Sequence, residues 1–356
     1  MRYIRFLKTP RLVAGKDASN PQIHCLITIT SDLGDSFLPY DIALVVELRS
    51  GKTEEIVTSR SVQWTAGMRD LFIKLPYRKD RASPSLKIRI SVDPKSPADD
   101  LERLREQDTR GVVSAWSALL DPSSEHKQSE KLIERRISVP GAKPVCIWEE
   151  TGESIARHLW DAGIVFTSHF HENNIKSGVN LLKSAFSPGD ESRRLKVLEL
   201  GAGCGLFGIS IAQSMKHTDV LLTDLPEAKD IISRNLKTAE PKEGTTIEFE
   251  ELNWDKDLPN NIQTTKFDVL VATDCTYNPD SSPALVNTIQ RLGDVSPDVY
   301  IIVAMKIRHL SENVFFELMS KAKFEKKESI EIPLPGDDGA GEETVWVHVF
   351  AQRKGM

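Results

Sequence analysis

The sequence has no long apolar run, although 40% of its 356 residues are hydrophobic. A membrane-spanning helix needs about 20 consecutive apolar residues, and no stretch approaches that length. The first ten residues, MRYIRFLKTP, also contain no apolar stretch that would mark a secretory signal peptide. These absences predict a cytoplasmic protein without a membrane partner, and they leave the nucleus open as a second compartment.

Cysteine is scarce as well. The chain has four of them: Cys25, Cys146, Cys204 and Cys275. They are scattered without the Cys-x-x-Cys spacing of zinc sites, and the histidines within 158–171 show no metal-ligand pattern. The sequence therefore predicts a reduced intracellular protein with no metal site and no disulfide framework.

Basic residues are outnumbered by acidic residues in the second part of the chain. Residues 1–140 contain 23 lysines and arginines against 19 acidic residues, whereas residues 141–356 contain 23 against 33. Nucleic-acid-binding proteins normally present a basic face to the phosphate backbone. The acidic balance over 141–356 therefore argues against a nucleic-acid partner. It suits a cationic substrate, and an acidic solvated surface explains it equally well.

The clearest motif that is present is a glycine-rich turn between an apolar strand and a helix. The segment VLELGAGCGL places Gly201, Gly203 and Gly205 in a Gly-x-Gly-x-Gly pattern. Glycine lets a ligand approach the backbone closely, and the start of the next helix offers free N–H groups. The dinucleotide fingerprint would need a third glycine where a leucine stands, and a P-loop would need Gly-Lys-Ser/Thr. With Glu199 two residues before the first glycine, the pattern indicates a site for S-adenosylmethionine.

The order of strands and helices predicts two domains. Residues 1–120 alternate between short apolar strands and turn clusters, which predicts a β-rich domain of the sandwich or barrel type. The polar stretch 121–144 is predicted to be a linker. Residues 145–356 alternate between strands and helices, which predicts a doubly wound α/β sheet of seven strands.

Two finer expectations concern this α/β domain. Helices are predicted over 153–170 and 175–186, ahead of the first strand at 195–200. The last two strands, near 326–332 and 344–351, have no helix between them, so they predict an antiparallel hairpin at one end of the sheet.

Two side chains at predicted strand ends suit the adenosine part of the cofactor. Asp224 follows the second strand, about 20 residues after the glycine turn, where a carboxylate accepts both ribose hydroxyl protons. Alternatively it caps the helix that starts near Pro226. Trp254, after the third strand, either offers a flat apolar surface to adenine or packs in the core.

The fourth strand leads into the segment ATDCTY, in which Asp274 and Tyr277 leave the sheet beside the expected methyl group. An enzyme that methylates an amine must orient it, exclude water and stabilise its charge. A carboxylate with a phenol suits that task, so both are candidate catalytic residues, and Asp274 is also a candidate contact of the cofactor. A helix cap is the alternative for Asp274. Cys275 has no triad partners and is interpreted as a small, half-buried thiol.

Upstream, the segment IWEE precedes the first predicted helix. Trp148 and Glu149 are candidates to close over the methionine end of the cofactor. A hydrophobic staple followed by an acidic helix start has the same pattern.

Together these motifs resemble the class I S-adenosylmethionine-dependent methyltransferases. More narrowly they resemble methyltransferase family 16, the seven-β-strand protein-lysine methyltransferases that modify chaperones and translation factors. The resemblance covers roughly 145–352 and rests on the segments IWE, VLELGAGCGL, LTDL, LNW and ATDCTY. It implies a Rossmann-like sheet, S-adenosylmethionine as cofactor, and a protein substrate.

The resemblance also implies roles for matching residues. Those implied to hold the cofactor are Trp148 at the methionine end, Glu199, Gly201, Gly203 and Gly205 in the loop, Asp224 at the ribose and Trp254 at the adenine. Asp274 and Tyr277 would face the acceptor lysine. The family often has aliphatic residues where Cys-Thr stands inside this Asp-x-x-Tyr motif. Residues 1–120 lie outside the family core, and they are expected to select the substrate or a partner.

Two alternatives stay open. One is an N-methyltransferase that acts on a small molecule or on nucleic acid, and the other is a catalytically inactive binding or scaffold protein. Enzymes that methylate nucleic-acid bases commonly carry Asp/Asn-Pro-Pro-Tyr/Phe, and the segment 274–277 lacks both prolines. The intact glycine turn with Asp224 and Asp274 argues against lost catalysis.

Overall fold

The computed structural model describes residues 1–14, 21–77, 84–151, 155–175, 181–187, 193–336 and 344–353. The chain divides into two compact units. Unit 1 comprises Met1–Ser138, Cys146–Ile155 and Pro335–Gly339, and unit 2 comprises Val139–Val145, Ala156–Leu334 and Ala340–Met356. Each unit has its own hydrophobic core.

Unit 1 is built almost entirely from strands. In chain order its elements are β1 (Arg2–Val13), β2 (Gln22–Thr30), β3 (Ile42–Ser50), β4 (Ile56–Trp64), β5 (Leu71–Pro76), β6 (Leu86–Ser91), α1 (Leu101–Leu104), β7 (Val112–Val113), β8 (Ala115–Ser117), β9 (Leu132–Ile137) and β10 (Val145–Glu150). Among the described residues, β5, β2, β1 and β7 form one sheet in that order, and β10, β9, β8, β6, β3 and β4 form the other.

The two sheets of unit 1 share one core. Alternate side chains of β3, such as Leu44, Val46 and Leu48, are fully buried, as a strand with one inward face requires. They belong to the same apolar cluster as Ile27 of β2, in the opposite sheet. Unit 1 is therefore a β-sandwich, and the predicted N-terminal β-rich region is confirmed.

Unit 2 alternates between strands and helices. Its elements are α2 (Asp161–Ile175), α3 (Leu181–Ala185), β11 (Leu195–Leu200), α4 (Leu206–Ser214), β12 (Thr218–Asp224), α5 (Lys229–Thr238), β13 (Thr246–Glu251), α6 (Asn260–Thr264), β14 (Val269–Thr273), α7 (Ser282–Val295), β15 (Tyr300–Met305), α8 (Val314–Lys321), β16 (Phe324–Pro333) and β17 (Thr344–Gln352). Short 3₁₀ turns cover Ile155–Arg157, Pro226–Ala228 and Leu310–Asn313.

Within the described residues of unit 2, seven strands form one sheet in the order β13-β12-β11-β14-β15-β17-β16. Strand β11 pairs in parallel with β12 on one side and with β14 on the other, so the strand order reverses between β11 and β14. Such sheets bind ligands at the carboxyl ends of the strands beside this reversal. Strand β17 is antiparallel to both β15 and β16. The predicted doubly wound Rossmann-like sheet with a terminal hairpin is confirmed.

Helix α4, which directly follows the glycine turn, is held in place by packing against its neighbours. Its sequence begins LFGISIA, so apolar side chains surround the helix and the whole segment 206–212 is buried. The Phe207 ring stacks on Phe166 of α2, with ring centroids 4.5 Å apart. A Cβ at Gly208 would lie 2.3 Å from a methyl carbon of Leu222 on β12. A side chain at that position would therefore push the helix away from the sheet.

The domain boundaries differ from the predicted ones. The predicted linker 121–144 contains strand β9, and the predicted start of the α/β domain at 145 falls on β10, most of which belongs to unit 1. The physical reason is a buried ion pair. Arg135 of β9 and Glu149 of β10 are both fully buried and lie 2.7 Å apart. The charged residues that suggested a solvated segment are therefore internal partners in a sheet.

The first predicted helix also differs. The prediction placed it over 153–170, but α2 begins at Asp161, after the 3₁₀ turn Ile155–Arg157. Of the second predicted helix, 175–186, the structure describes α3 at Leu181–Ala185, and residues 176–180 lie outside the described residues.

No helix among the described residues has both the length and the apolar character needed to cross a membrane. No group of three or more His, Cys, Asp or Glu side chains in this part of the chain is arranged to hold a metal ion.

Candidate active site

The glycine turn connects β11 to α4 through three left-handed residues. Gly201, Gly203 and Gly205 have φ angles of +62°, +57° and +80°, which side chains rarely adopt. The Gly205 N–H donates to the carbonyl of Ala202 at 2.7 Å, and the Ala202 N–H donates to the carbonyl of Thr223 at 3.0 Å. These bonds fix the turn against the end of β12.

The turn lies directly against two other predicted site residues. A Cβ built on Gly201 would lie 2.6 Å from the Cys275 sulfur and 3.3 Å from the Trp254 ring. Tertiary structure thus brings together the ends of β11, β13 and β14. Trp254 also packs against the core, which was the alternative for this residue, and its ring edge still faces the turn.

Glu199 of β11 is a buried carboxyl that connects the strand to α4. Its Oε2 accepts the N–H of Gly208 at 2.8 Å, and its Oε1 has no hydrogen-bond partner. Burial, together with the nearby charge of Asp224, raises the pKa of Glu199 to about 8. The side chain therefore shapes the start of α4 from inside the unit, and its predicted part in cofactor binding stays a prediction.

Asp224 ends β12 and reaches back to the glycine turn. Its Oδ2 accepts the N–H of Gly203, and its Oδ1 accepts the N–H of Leu225, each at 2.7 Å. Burial raises the pKa of this carboxyl above its ordinary value. The first bond fixes the glycine turn, and the second goes to Leu225 at the start of the following 3₁₀ turn, which receives no side-chain cap, so the alternative of a helix cap is wrong. Neither bond tests the predicted ribose contact.

Asp274 follows β14 in a strained backbone conformation. Its φ angle is +53°, in the left-handed region that non-glycine residues seldom occupy. Its Oδ2 accepts the N–H of Ala162 at 2.8 Å, and its Oδ1 accepts from Arg308 at 3.1 Å. The carboxylate therefore caps a helix, as the alternative proposed, but the helix is α2 and not the one that follows in the chain.

A second ion pair is formed by residues close in sequence to Ala162 and Arg308, the two partners of Asp274. Lys306, directly after β15, donates to Asp161 at 2.8 Å, and both side chains are buried. Residues 161 and 162 at the start of α2 are thus tied to the ends of β15 and β14. Sequence reasoning missed Asp161, Lys306 and Arg308. The only signal was a basic residue at the end of a predicted strand, which is common on surfaces.

Tyr277 and Cys275 differ in exposure. Tyr277 is 47% exposed, and partial burial with the nearby Cys275 and Asp224 raises the pKa of its phenol. Cys275 is buried, and its thiol donates to the carbonyl of Leu200 at 3.2 Å. Burial, followed by the charges of Asp224, Asp274 and Glu199, raises the pKa of this thiol well above its usual range. Cys275 is accordingly protonated at neutral pH and is no nucleophile.

The carboxyl groups of Glu199, Asp224 and Asp274 all lie near enough to Cys275 to raise the pKa of its thiol. The Trp254 ring lies against Gly201, and the Tyr277 phenol is near enough to Cys275 and Asp224 for them to raise its pKa. Acidic groups favour a cation, and flat rings favour an aromatic base. The donor set therefore fits a cationic sulfonium that carries an adenosine.

The segment around Trp148 lies in unit 1. Trp148 belongs to β10, with the amine of Lys87 5.6 Å from its ring centroid. Glu149 is taken up by its buried pair with Arg135, so it does not close over a ligand. Unit 2 thus brings together the other predicted residues, whereas the predicted contact of Trp148 with the cofactor stays a prediction.

The sequence of this chain is similar to those of known lysine methyltransferases. A family model described as lysine methyltransferase matches residues 141–322. A protein of the UPF0665 family from Schizosaccharomyces pombe is 28% identical over 88% of this chain and 91% of its own. EEF1A lysine methyltransferase 3 from Mus musculus is 28% identical over 46% of this chain and 62% of its own. Calmodulin-lysine N-methyltransferase from Arabidopsis thaliana is 31% identical over 36% of this chain and 39% of its own. The chain thus spans less than two thirds of the last two enzymes.

Proposed function

Since this chain belongs to the lysine methyltransferase family, we propose that it transfers a methyl group to a lysine side chain of another protein. Its cofactor is S-adenosylmethionine. The observation that carries the proposal is the grouping of three carboxyl groups and two aromatic rings at the strand ends beside the glycine turn.

The cofactor side of the crevice is assigned to the turn and its neighbours. Asp224 would accept the ribose hydroxyls, and Trp254 would cover one face of the adenine. The glycine turn, Gly201 to Gly205, would let the cofactor approach the backbone. When bound, the cofactor supplies an electrophilic methyl group, and a C–S bond breaks as the new N–C bond forms.

The acceptor side is assigned to Asp274 and Tyr277. An attacking amine needs a free lone pair aimed at the methyl carbon, so the protein must orient the amine and exclude water. Asp274 would accept an N–H of the amine, because a carboxylate oxygen has more than one lone pair. Its bonds to Ala162 and Arg308 hold it in one position while it does so. Tyr277 would form the exposed wall beside the entering side chain.

The acceptor is proposed to be a translation-related or chaperone protein in the cytoplasm or nucleus. The mouse and Arabidopsis relatives are named for EEF1A and calmodulin, which are protein substrates. The four cysteines are all free, which suits a reducing compartment.

Calorimetry tests the cofactor assignment. The wild-type chain should bind S-adenosylmethionine, and Gly203→Arg should abolish binding because it places a long side chain in the left-handed turn where the cofactor is proposed to approach the backbone. Gly34→Arg is the matched control, since Gly34 is also left-handed but has open space around it. Absence of binding by the wild type, or equal losses in both variants, would refute the assignment.

A second experiment tests the acceptor class. The chain is incubated with methyl-labelled cofactor and a cell lysate, and the label should appear on lysine of a protein. Label found only on RNA or on a metabolite would contradict a protein-lysine methyltransferase.

A further inference from the structure

A cavity of about 260 Å³ lies beside strand β1 in unit 1. Three cationic side chains line it: Lys8, Arg11 and Lys131. Its other polar lining comes from Thr9, Gln128 and Thr151, and no described acidic side chain lines it. The cavity is therefore a concave surface of one charge sign, which raises the local concentration of anions.

An irregularity in β1 places the side chains that form this cavity. The pairing of β1 with β2 shifts register twice, between Phe6 and Lys8 and between Lys8 and Arg11. As a result Leu7 and Lys8 both face outward, and the next two residues are both buried. A regular strand would send successive side chains to opposite faces. Such bulges redirect side chains and are common beside functional sites.

Hydrogen bonds fix the opposite wall to β1. The Ser129 N–H donates to the carbonyl of Pro10 at 2.9 Å, and the Thr9 hydroxyl donates to the carbonyl of Ser129 at 3.0 Å. The Gln128 amide donates to the Thr9 hydroxyl at 2.9 Å. The Thr151 N–H holds the carbonyl of Lys131 at 3.1 Å. The cavity is thus preorganised, and only its long cationic side chains are free to adjust.

The three cations have no acidic partner in the part of the chain that the structure describes. Among the described residues, none of Lys8, Arg11 and Lys131 forms a salt bridge, and all three are exposed. Other cations of unit 1 do pair, for example Lys87 with Glu134 at 2.8 Å and Arg89 with Glu47 at 3.2 Å. The charge of the cavity is therefore available to a ligand.

We propose that this cavity binds an acidic segment of the protein that the enzyme methylates. The inference deepens the proposed function and rests on it, since it assigns the substrate contact to unit 1. Flexible lysine and arginine side chains suit several carboxylates on a peptide. Leu7, 55% exposed beside them, offers an apolar contact that a peptide side chain can use and a free phosphate cannot.

The test uses the full chain and a fluorescein-labelled octaglutamate peptide. Fluorescence anisotropy should show binding that weakens with salt and is not displaced by inorganic phosphate at equal charge concentration. Lys8→Glu/Arg11→Glu/Lys131→Glu should weaken the binding about tenfold or more, because three attractive charges are replaced by three that repel an acidic peptide. A milder variant with glutamine at the same three positions should weaken it less and guards against misfolding.

A charge-matched control separates the cavity from general attraction. Lys52→Glu/Arg69→Glu/Lys95→Glu removes three exposed cations of unit 1 outside the cavity and changes the net charge equally. Equal weakening in both triple variants, or full displacement by phosphate, would overturn the proposal. Calorimetry with S-adenosylmethionine distinguishes failure of this inference from failure of the proposed function. If the wild type binds the cofactor but not the peptide, only this inference fails, whereas loss of cofactor binding would refute the proposed function itself.

Discussion

The buried Arg135–Glu149 pair of unit 1 neutralises both of its charges, whereas two buried carboxyl groups beside the glycine turn of unit 2 have no cationic partner among the described residues. Arg135 and Glu149 of unit 1 are both fully buried and 2.7 Å apart. In unit 2, Glu199 and Asp224 accept backbone N–H groups and form no salt bridge among the described residues. The Glu199 Oε1 has no hydrogen-bond partner, and burial raises the pKa values of both carboxyl groups, as expected for acids that lack a cationic partner.

The difference separates a structural use of charge from a functional one. A buried pair is neutral as a whole, so it holds two strands in register and offers nothing to a ligand. Carboxyl groups without cations are costly to bury, and their pKa values rise. Such groups concentrate at functional sites, because a cationic ligand then supplies the missing charge.

Breaking the buried ion pair of unit 1 should have the greatest consequence, a large loss of stability. Arg135→Met leaves the Glu149 carboxylate buried without its cation, which should lower the free energy of unfolding by about 3–5 kcal/mol. Urea denaturation followed by tryptophan fluorescence measures this loss. Arg105→Met is the control, because its pair with Glu102 is largely exposed and should change stability by less than about 1 kcal/mol. Equal losses would mean that burial of the pair is not what matters.

Removing the charge of Asp274, on the proposed acceptor side of unit 2, should slow methyl transfer. Asp274→Asn keeps the shape of the side chain but weakens its hold on an amine, so methyl transfer should fall about 10²–10³-fold. Cofactor affinity, measured by calorimetry, should stay within about threefold. Asp280→Asn nearby is exposed and should leave transfer unchanged. Transfer by Asp274→Asn at the wild-type rate would remove Asp274 from the catalytic residues.

The raised pKa of Glu199 should have a smaller consequence, a modest dependence of stability on pH. Its pKa is raised to about 8 in the folded chain from an ordinary value near 4.5. The folded state therefore binds more protons than the unfolded state between these two values, and stability falls as the pH rises through this window. The slope is at most about 1.4 kcal/mol per pH unit. Glu199→Gln should match the wild type at low pH and lack this decline.

The pH dependence of stability can also contradict the raised pKa of Glu199. Urea midpoints of the wild type and of Glu199→Gln are compared from pH 5 to pH 9. Parallel curves would show that Glu199 keeps an ordinary pKa and that the carboxyl is ionised in the folded chain.

Much of unit 2 could be predicted because its signals are local. Strand β11 coincides with the predicted 195–200, and α4 begins directly after Gly205, the last glycine of the turn. The apolar run, the glycines and the next helix stand side by side in the chain, so their pattern is readable without a fold. The same holds for Asp224, Trp254, Asp274 and Tyr277, each of which follows a recognisable strand.

The failures have a common cause in contacts between distant residues. Strand β9 reads as polar linker because its buried arginine is neutralised by Glu149, on the next strand. Helix α2 starts at Asp161 because Lys306 and Asp274, more than 100 residues later, bind its first turn. Arg308 could not be singled out, since an isolated arginine carries no spacing signal.

The doubly wound sheet, the β-rich first unit and the kind of cofactor can all be read from the sequence. Those properties depend on periodicity and on the backbone freedom of three glycines, which are local. Which charges are neutralised and which are not depends on the fold. Burial and pairing depend on neighbours in space, so the raised pKa of Glu199, the anchoring of Asp274 and the cations beside β1 without a partner among the described residues emerge only in the folded chain.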